Sequence, residues 1–185
     1  MQPRDDLPRA IECILFAAGE PVPLKRLAEV LDVPPETAAA AVRDLEALLH
    51  DRGLQVIKLA GGYALATRPE FAEYVSKLRQ RPPERLSAAA VEVLAIVAYR
   101  QPVTKPEIDQ IRGVDSSSAL RSLLAKRMIA IKGRKRAPGR PALYVTTEHF
   151  LRAFGLNDLS ELPEMPGGLP ARARQMRLTG LDAES

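Results

Sequence analysis

The same succession of hydrophobic periods occurs twice in this 185-residue chain, and that duplication restricts the fold more tightly than length or composition does. In the first pass, Ile11, Ile14, Leu15 and Ala18 recur at helical spacing, and Gly19 closes the segment as a helix-terminating residue. After Pro21-Val22-Pro23, the residues Leu24, Leu27, Val30 and Leu31 make a second short amphipathic helix that ends before Pro34-Pro35. A third helix starts near Glu36, places Val42, Leu45, Leu48 and Leu49 on one face and stops at Asp51-Arg52-Gly53. The period then changes to two. Leu54 to Ala60 and Tyr63 to Thr67 read as strands around Gly61-Gly62, a dipeptide suited to a two-residue hairpin turn, and Phe71 to Leu78 returns to helix.

The second pass repeats this order. Ser87 caps a helix through Arg100 whose Val91, Val93, Leu94, Ile96 and Val97 cover nearly all sides, as expected at the centre of a small domain. Gln101-Pro102-Val103 then matches Glu20-Pro21-Val22, and Ile108 and Ile111 match Leu27 and Val30, both at an offset of 81. Thr104 opens the second helix; Ser116 opens a shorter third one carrying Leu120, Leu123 and Leu124. The wing is longer here: Met128 to Ile131 pairs with Leu143 to Thr146 across a loop, Lys132 to Ala142, rich in Lys, Arg, Gly and Pro.

Three helices followed by a hairpin is the order of a winged helix, in which the second and third helices form a helix-turn-helix. The expected fold is therefore mainly α with small β-hairpins: two tandem winged-helix domains, over residues 1–80 and 86–162. Residues 81–85, with Arg81-Pro82-Pro83-Glu84, form a stiff polar linker. Asn157-Asp158-Leu159 caps a last turn before Leu162-Pro163, and 163–185 is read as a flexible tail, in which Arg172, Arg174, Met176, Arg177 and Leu178 have the pattern of a short basic helix for a partner. Aromatic content of 4% with no Trp points to cores of Leu, Val, Ile and Ala.

Composition excludes several functions. The longest apolar run, Val91 to Ala98, is too short to span a bilayer and no secretory signal pattern opens the chain, so a cytoplasmic location is expected. The one cysteine, Cys13, lies between Ile11, Ile14 and Leu15 and is expected to be a buried helical residue rather than a nucleophile. With His50 and His149 far apart, no metal-ligand spacing exists, and no Gly-rich loop opens a helix to hold a phosphate. Ser116-Ser117-Ser118 reads as a helix start. No catalytic residue, metal or cofactor is expected.

Charge separates the two halves. Residues 1–80 carry ten Lys/Arg against twelve Asp/Glu, and 81–185 carry seventeen against eleven. The third helix of the first half has Arg43 against Glu36, Asp44, Glu46 and Asp51, which repels a phosphate backbone. Between Asp115 and Glu148, in contrast, lie eight basic residues and no acidic one: Arg121, Lys126, Arg127, Lys132, Arg134, Lys135, Arg136 and Arg140. These are candidates for DNA-backbone contact without sequence readout, since no aromatic residue is interleaved to stack on bases. The alternative is a solvated hairpin whose charges keep it extended. A winged-helix DNA-binding transcriptional regulator is the competing function.

The second half also carries a more specific pattern. Its stretch from Leu86 to Val103 (LSAAAVEVLAIVAYRQPV), followed by Ile111-Arg112-Gly113-Val114, Gly139-Arg140-Pro141, Leu143-Tyr144 and Thr146-Thr147, resembles the segregation and condensation protein B (ScpB) family. Phe154-Gly155-Leu156 with Leu159 and Leu162-Pro163 fits the same pattern, and the first half fits more loosely through Ile11-Glu12, Leu15-Phe16, Gly19-Glu20-Pro21 and Gly61-Gly62-Tyr63. The resemblance spans roughly residues 8 to 165. It implies two winged-helix domains, a homodimer formed largely through the first, binding of the kleisin ScpA, and assembly on the SMC ATPase in chromosome condensation and segregation, at the nucleoid. Leu45, Leu48 and Leu49, apolar positions on the third helix, are candidates for the dimer interface. Lys132 to Arg136 is more basic than the family pattern demands.

Overall fold

The computed structural model describes residues 6–78 and 85–164, which fall into two compact units. Residues 81–84 of the expected linker and most of the expected tail, with its basic segment, lie outside the described residues. Each unit is mainly helical and carries one small antiparallel sheet.

In the first unit, α1 (Leu7–Ala18), α2 (Leu24–Leu31) and α3 (Pro35–Leu48) precede a hairpin of β1 (Leu54–Leu59) and β2 (Gly62–Thr67). A 3₁₀ turn at Pro69–Phe71 then runs into α4 (Ala72–Leu78). Helix α1 begins where the Asp6 carboxylate accepts from the Arg9 amide at 3.3 Å and ends at Gly19, whose φ of 63° few side chains tolerate. Its inner stripe, Ile11 and Leu15, packs with Leu27 of α2 and with Val42, Leu45 and Leu49 on and just beyond α3. Cys13 lies two residues from Ile11, about 200° around the helix. It is therefore exposed, not buried as its apolar sequence neighbours suggest.

The hairpin corrects the expected turn. Its two loop residues are Ala60 and Gly61, at φ 49° and 76°, the paired left-handed conformation that matches strand twist; Gly62 is already the first residue of β2, opposite Leu59. What fixes Gly62 is a neighbour distant in sequence. Val22 exchanges two backbone hydrogen bonds with Tyr63 (2.8 and 2.9 Å), laying the Pro21-Val22 segment against the hairpin as a single-bridge third strand. A Cβ on Gly62 would stand 2.8 Å from the Val22 carbonyl carbon and 2.9 Å from its nitrogen, so backbone occupies the space a side chain needs.

The second unit runs α5 (Ala88–Arg100), β3 (Val103–Thr104), α6 (Lys105–Arg112), α7 (Ser117–Ala125), β4 (Ile129–Arg134), β5 (Ala142–Thr146), α8 (Glu148–Phe154) and a 3₁₀ turn at Leu159–Glu161. Helix α5 is the core element: Val93, Leu94, Ile96 and Val97 are buried and pack with Ile108, Leu120, Leu123 and Phe150. Ser87 caps it through the Ala90 amide, and the side chain of Thr147 caps α8 through that of Phe150. The sheet order is β3-β5-β4, all antiparallel.

The two units correspond residue by residue where the chain turns. Val22 pairs with Tyr63, and Val103 with Tyr144, each partner displaced by the same 81 residues. Helices α2 and α6 show the same displacement at both ends and close on left-handed residues, Asp32 (φ 54°) and Gly113 (φ 72°). The third helix shortens from 14 residues in α3 to 9 in α7, as the sequence indicates, and the length is returned in the wing.

Candidate functional site

The wing of the second unit extends further as strand than the sequence indicates. Strand β4 continues through Arg134, with Lys132 as the extra residue of a bulge between the pairs Ile131–Tyr144 and Gly133–Leu143. Gly133 takes a φ of 153°, reserved for glycine. The tip, residues 135–141, is closed by the Lys135 amide donating to the Pro141 carbonyl at 2.9 Å. Within it the Arg140 amide donates to Ala137 at 2.9 Å across Pro138-Gly139; proline followed by a glycine at φ 76° is the type II β-turn pattern. Arg134 Nη1 donates to the Arg140 carbonyl at 3.1 Å.

The eight basic residues are not equivalent. Arg121, Arg127, Lys132, Arg134, Arg136 and Arg140 are exposed, whereas Lys126 is half-buried at the end of α7. Lys135 turns back from the wing, and its Nζ meets Glu107 Oε1 at 2.6 Å. Glu107 is also the far side of the capping box of α6, its Oε2 accepting from the Thr104 amide at 2.8 Å and from the Thr104 hydroxyl at 2.7 Å. One carboxylate thus ties the wing tip to a helix start.

Lys135, and then the two Thr104 donors, hold the Glu107 carboxyl at about 2, well below the 4.5 of a free glutamate. A group depressed on folding contributes stability above its unfolded value that is lost as the pH falls toward its folded one. We expect the second unit to lose stability between pH 4.5 and about 2, and Glu107→Gln to flatten part of that dependence in thermal melts at stepped pH.

The turn between α6 and α7 is held by a second polar cluster. Lys105 Nζ lies 2.6 Å from both Asp109 Oδ2 and Asp115 Oδ1, and Asp109 Oδ1 accepts from the buried Ser116 amide at 2.8 Å. Ser116 opens α7 by position only. Its hydroxyl accepts from Arg112 Nη1 at 2.9 Å, and the Ser117 amide is capped by Asp115 at 3.1 Å instead. Lys105, followed by Ser117, lowers the Asp115 carboxyl to about 2. The nearly buried Arg112 also donates through Nε and Nη2 to Glu92 on α5, at 3.3 and 3.2 Å.

The first unit offers a different surface. Phe16 is 80% exposed, Tyr74 71% and Leu78 82%, and Phe71, Tyr74 and Leu78 fall at helical i, i+3, i+7 spacing through the 3₁₀ turn and α4. Leu48 on α3 is 58% exposed. Leu45 and Leu49, expected at a dimer interface with it, are 0% and 6% exposed inside the unit's own core. They cannot contact a second chain in the folded state.

A family model for the segregation and condensation complex subunit ScpB matches residues 9–165. The chain belongs to the ScpB family. The segregation and condensation protein B of Symbiobacterium thermophilum is 49% identical over 178 residues, covering 94% of this chain and 81% of that protein. That of Syntrophotalea carbinolica is 49% identical over 162 residues, covering 86% and 82%. The crystal structure of ScpB from Mycobacterium tuberculosis aligns at 34% identity over 84% of this chain and 99% of that one, with a TM-score of 0.40. Among the described residues of this ScpB-family chain, no helix is long and apolar enough to cross a membrane.

Two features of this ScpB-family chain escape reading by sequence. The Glu107–Lys135 tie joins residues 28 apart in a pattern with no motif. The apolar stripe of Phe71, Tyr74 and Leu78 has the helical spacing of any buried face, so spacing does not show that it stays exposed among the described residues.

Proposed function

We propose that the chain is the non-catalytic adaptor subunit of an SMC–kleisin complex: a homodimer of tandem winged-helix chains that binds the kleisin ScpA and acts with the SMC ATPase in chromosome condensation and segregation. In this reading residues 1–80 pair two chains, residues 86–162 hold the kleisin, and the protein works in the cytoplasm at the nucleoid. Family membership supports the assembly. The observation that carries the division of labour is the exposure of Phe16, Leu48, Tyr74 and Leu78 on the first unit, since large apolar side chains left in water mark surfaces that another chain covers. The winged-helix reading is supported by the element order and by the strand bridges Val22–Tyr63 and Val103–Tyr144. On the second unit the exposed Ile111 and Val114, beside the α6 cap, are the apolar positions offered to a kleisin segment.

The test is co-expression with the kleisin encoded in the same genome, followed by size exclusion with light scattering. A stable complex containing two copies of this chain is expected. Separate elution of the two proteins would overturn the reading.

A further inference from the structure

We propose that the long wing of the second unit is a contact for the phosphate backbone of duplex DNA, sequence-independent and formed by Lys132, Arg134, Arg136 and Arg140. The inference goes beyond the adaptor reading and does not depend on it, because it concerns the chain alone.

Three observations on the wing converge. First, its charges are displayed on an ordered scaffold. The Lys135–Pro141 closure, the turn across Pro138-Gly139 and the Arg134 bond to the Arg140 carbonyl set the tip backbone, so little of its freedom remains to be lost on binding. Second, the neutralisation is selective. Glu107 satisfies Lys135 alone and anchors the tip beside the start of α6, while Lys132, Arg134, Arg136 and Arg140 stay exposed in a stretch with no acidic residue between Asp115 and Glu148. Third, the two units provide an internal comparison. The first wing turns in two residues, Ala60 and Gly61, and carries one basic residue on its strands, Lys58; the second carries the longer, basic tip on an equivalent strand pair. The first unit closes its sheet without such an extension.

The chemistry of the tip selects among polyanions. Lys132 and Arg134 stand about 7 Å apart on β4, at roughly 3.3 Å per residue, with Arg136 and Arg140 on the tip beyond them, while each strand of duplex DNA presents one phosphate about every 3.4 Å of helix axis. Several phosphates therefore lie within reach of the row. An unpaired strand is the weaker fit, since no aromatic residue stands between Lys132 and Arg140 to stack on its bases. An acidic protein segment is the weaker fit. Ala137, Pro138 and Pro141 are the apolar side chains of the tip, too small to anchor a peptide by burial.

The test uses the full chain and a fluorescein-labelled random-sequence 30-base-pair duplex, with anisotropy read from 50 to 200 mM salt. Four phosphate contacts predict that affinity falls roughly a hundredfold across that range. In Lys132→Ala/Arg134→Ala/Arg136→Ala, binding at 50 mM salt should weaken by about tenfold or more, and the log–log salt slope should flatten by roughly 2 to 3. Because Arg134 also bonds the tip backbone, Lys132→Glu/Arg136→Glu is the second variant; it leaves that bond intact and should weaken binding at least as much, with an unchanged melting temperature. Unaltered affinity and slope in both variants would overturn the proposal. So would undetectable binding by the natural chain at 50 mM salt, a thousandfold preference for one duplex sequence, or displacement of the duplex by poly-glutamate at lower charge concentration than by unlabelled duplex. Failure here leaves co-elution with the kleisin untouched, and the reverse also holds.

Discussion

Glu92→Ala should destabilise the second unit by about 3 kcal/mol, although the Glu92 side chain is 31% exposed. The reason lies with its partner. The Arg112 side chain is only 9% exposed, and Glu92 Oε2 accepts two of its guanidinium hydrogen bonds; removing the carboxylate leaves a nearly buried cation with the Ser116 hydroxyl alone. Desolvated charge without a counter-charge is among the most destabilising changes available to a small domain, and the remaining Ser116 bond places the effect at the lower end of its range. The loss should appear as a lower urea midpoint at unchanged slope, and as faster amide exchange in α5 and α6. Replacing both residues by Met should recover most of the stability, because the pair repays its own desolvation and contributes little net. A double variant as unstable as Glu92→Ala would contradict that account.

The second large effect separates two leucines three residues apart. Leu45→Ala should destabilise the first unit by about 2–5 kcal/mol, because Leu45 is fully buried and its loss leaves a cavity among Ile11, Leu15 and Leu27. Leu48→Ser, at a position 58% exposed, should leave folding within about 0.5 kcal/mol of the natural chain. It should instead weaken self-association roughly fivefold or more, measured as the protein concentration at which sedimentation shows half dimer. If Leu48→Ser unfolds the unit while Leu45→Ala does not, the assignment of the α3 faces is wrong.

That contrast shows where sequence reading stops. A helical stripe is visible in the spacing of Val42, Leu45, Leu48 and Leu49, but its buried width is set by what packs on it. Leu49 turns into the core just past the end of α3 and Leu48 turns away. Cys13 is the reverse case: its apolar neighbours in sequence are not its neighbours in space. Caps were legible because they are local chemistry, as Ser87 and Thr104 illustrate. Ser116 was legible only as a position, since its hydroxyl is claimed by an arginine one helical turn earlier. The hairpin turn was misplaced by one residue. A Gly-Gly pair looks like a turn from within, whereas Gly62 is a glycine because the backbone of Val22 presses against it. The basic row on the wing was fully visible as composition; that one member, Lys135, is taken by Glu107 was not.

The strand bridge shared by the two units has a further consequence. With Val22–Tyr63 and Val103–Tyr144 as struts, each sheet is braced from the side: next to the turn in the first hairpin, and in the second short of a tip at residues 135–141 that is left outside the bracing. That end behaves as a cassette. A module braced in this way can lengthen, shorten or recharge its tip without renegotiating its core.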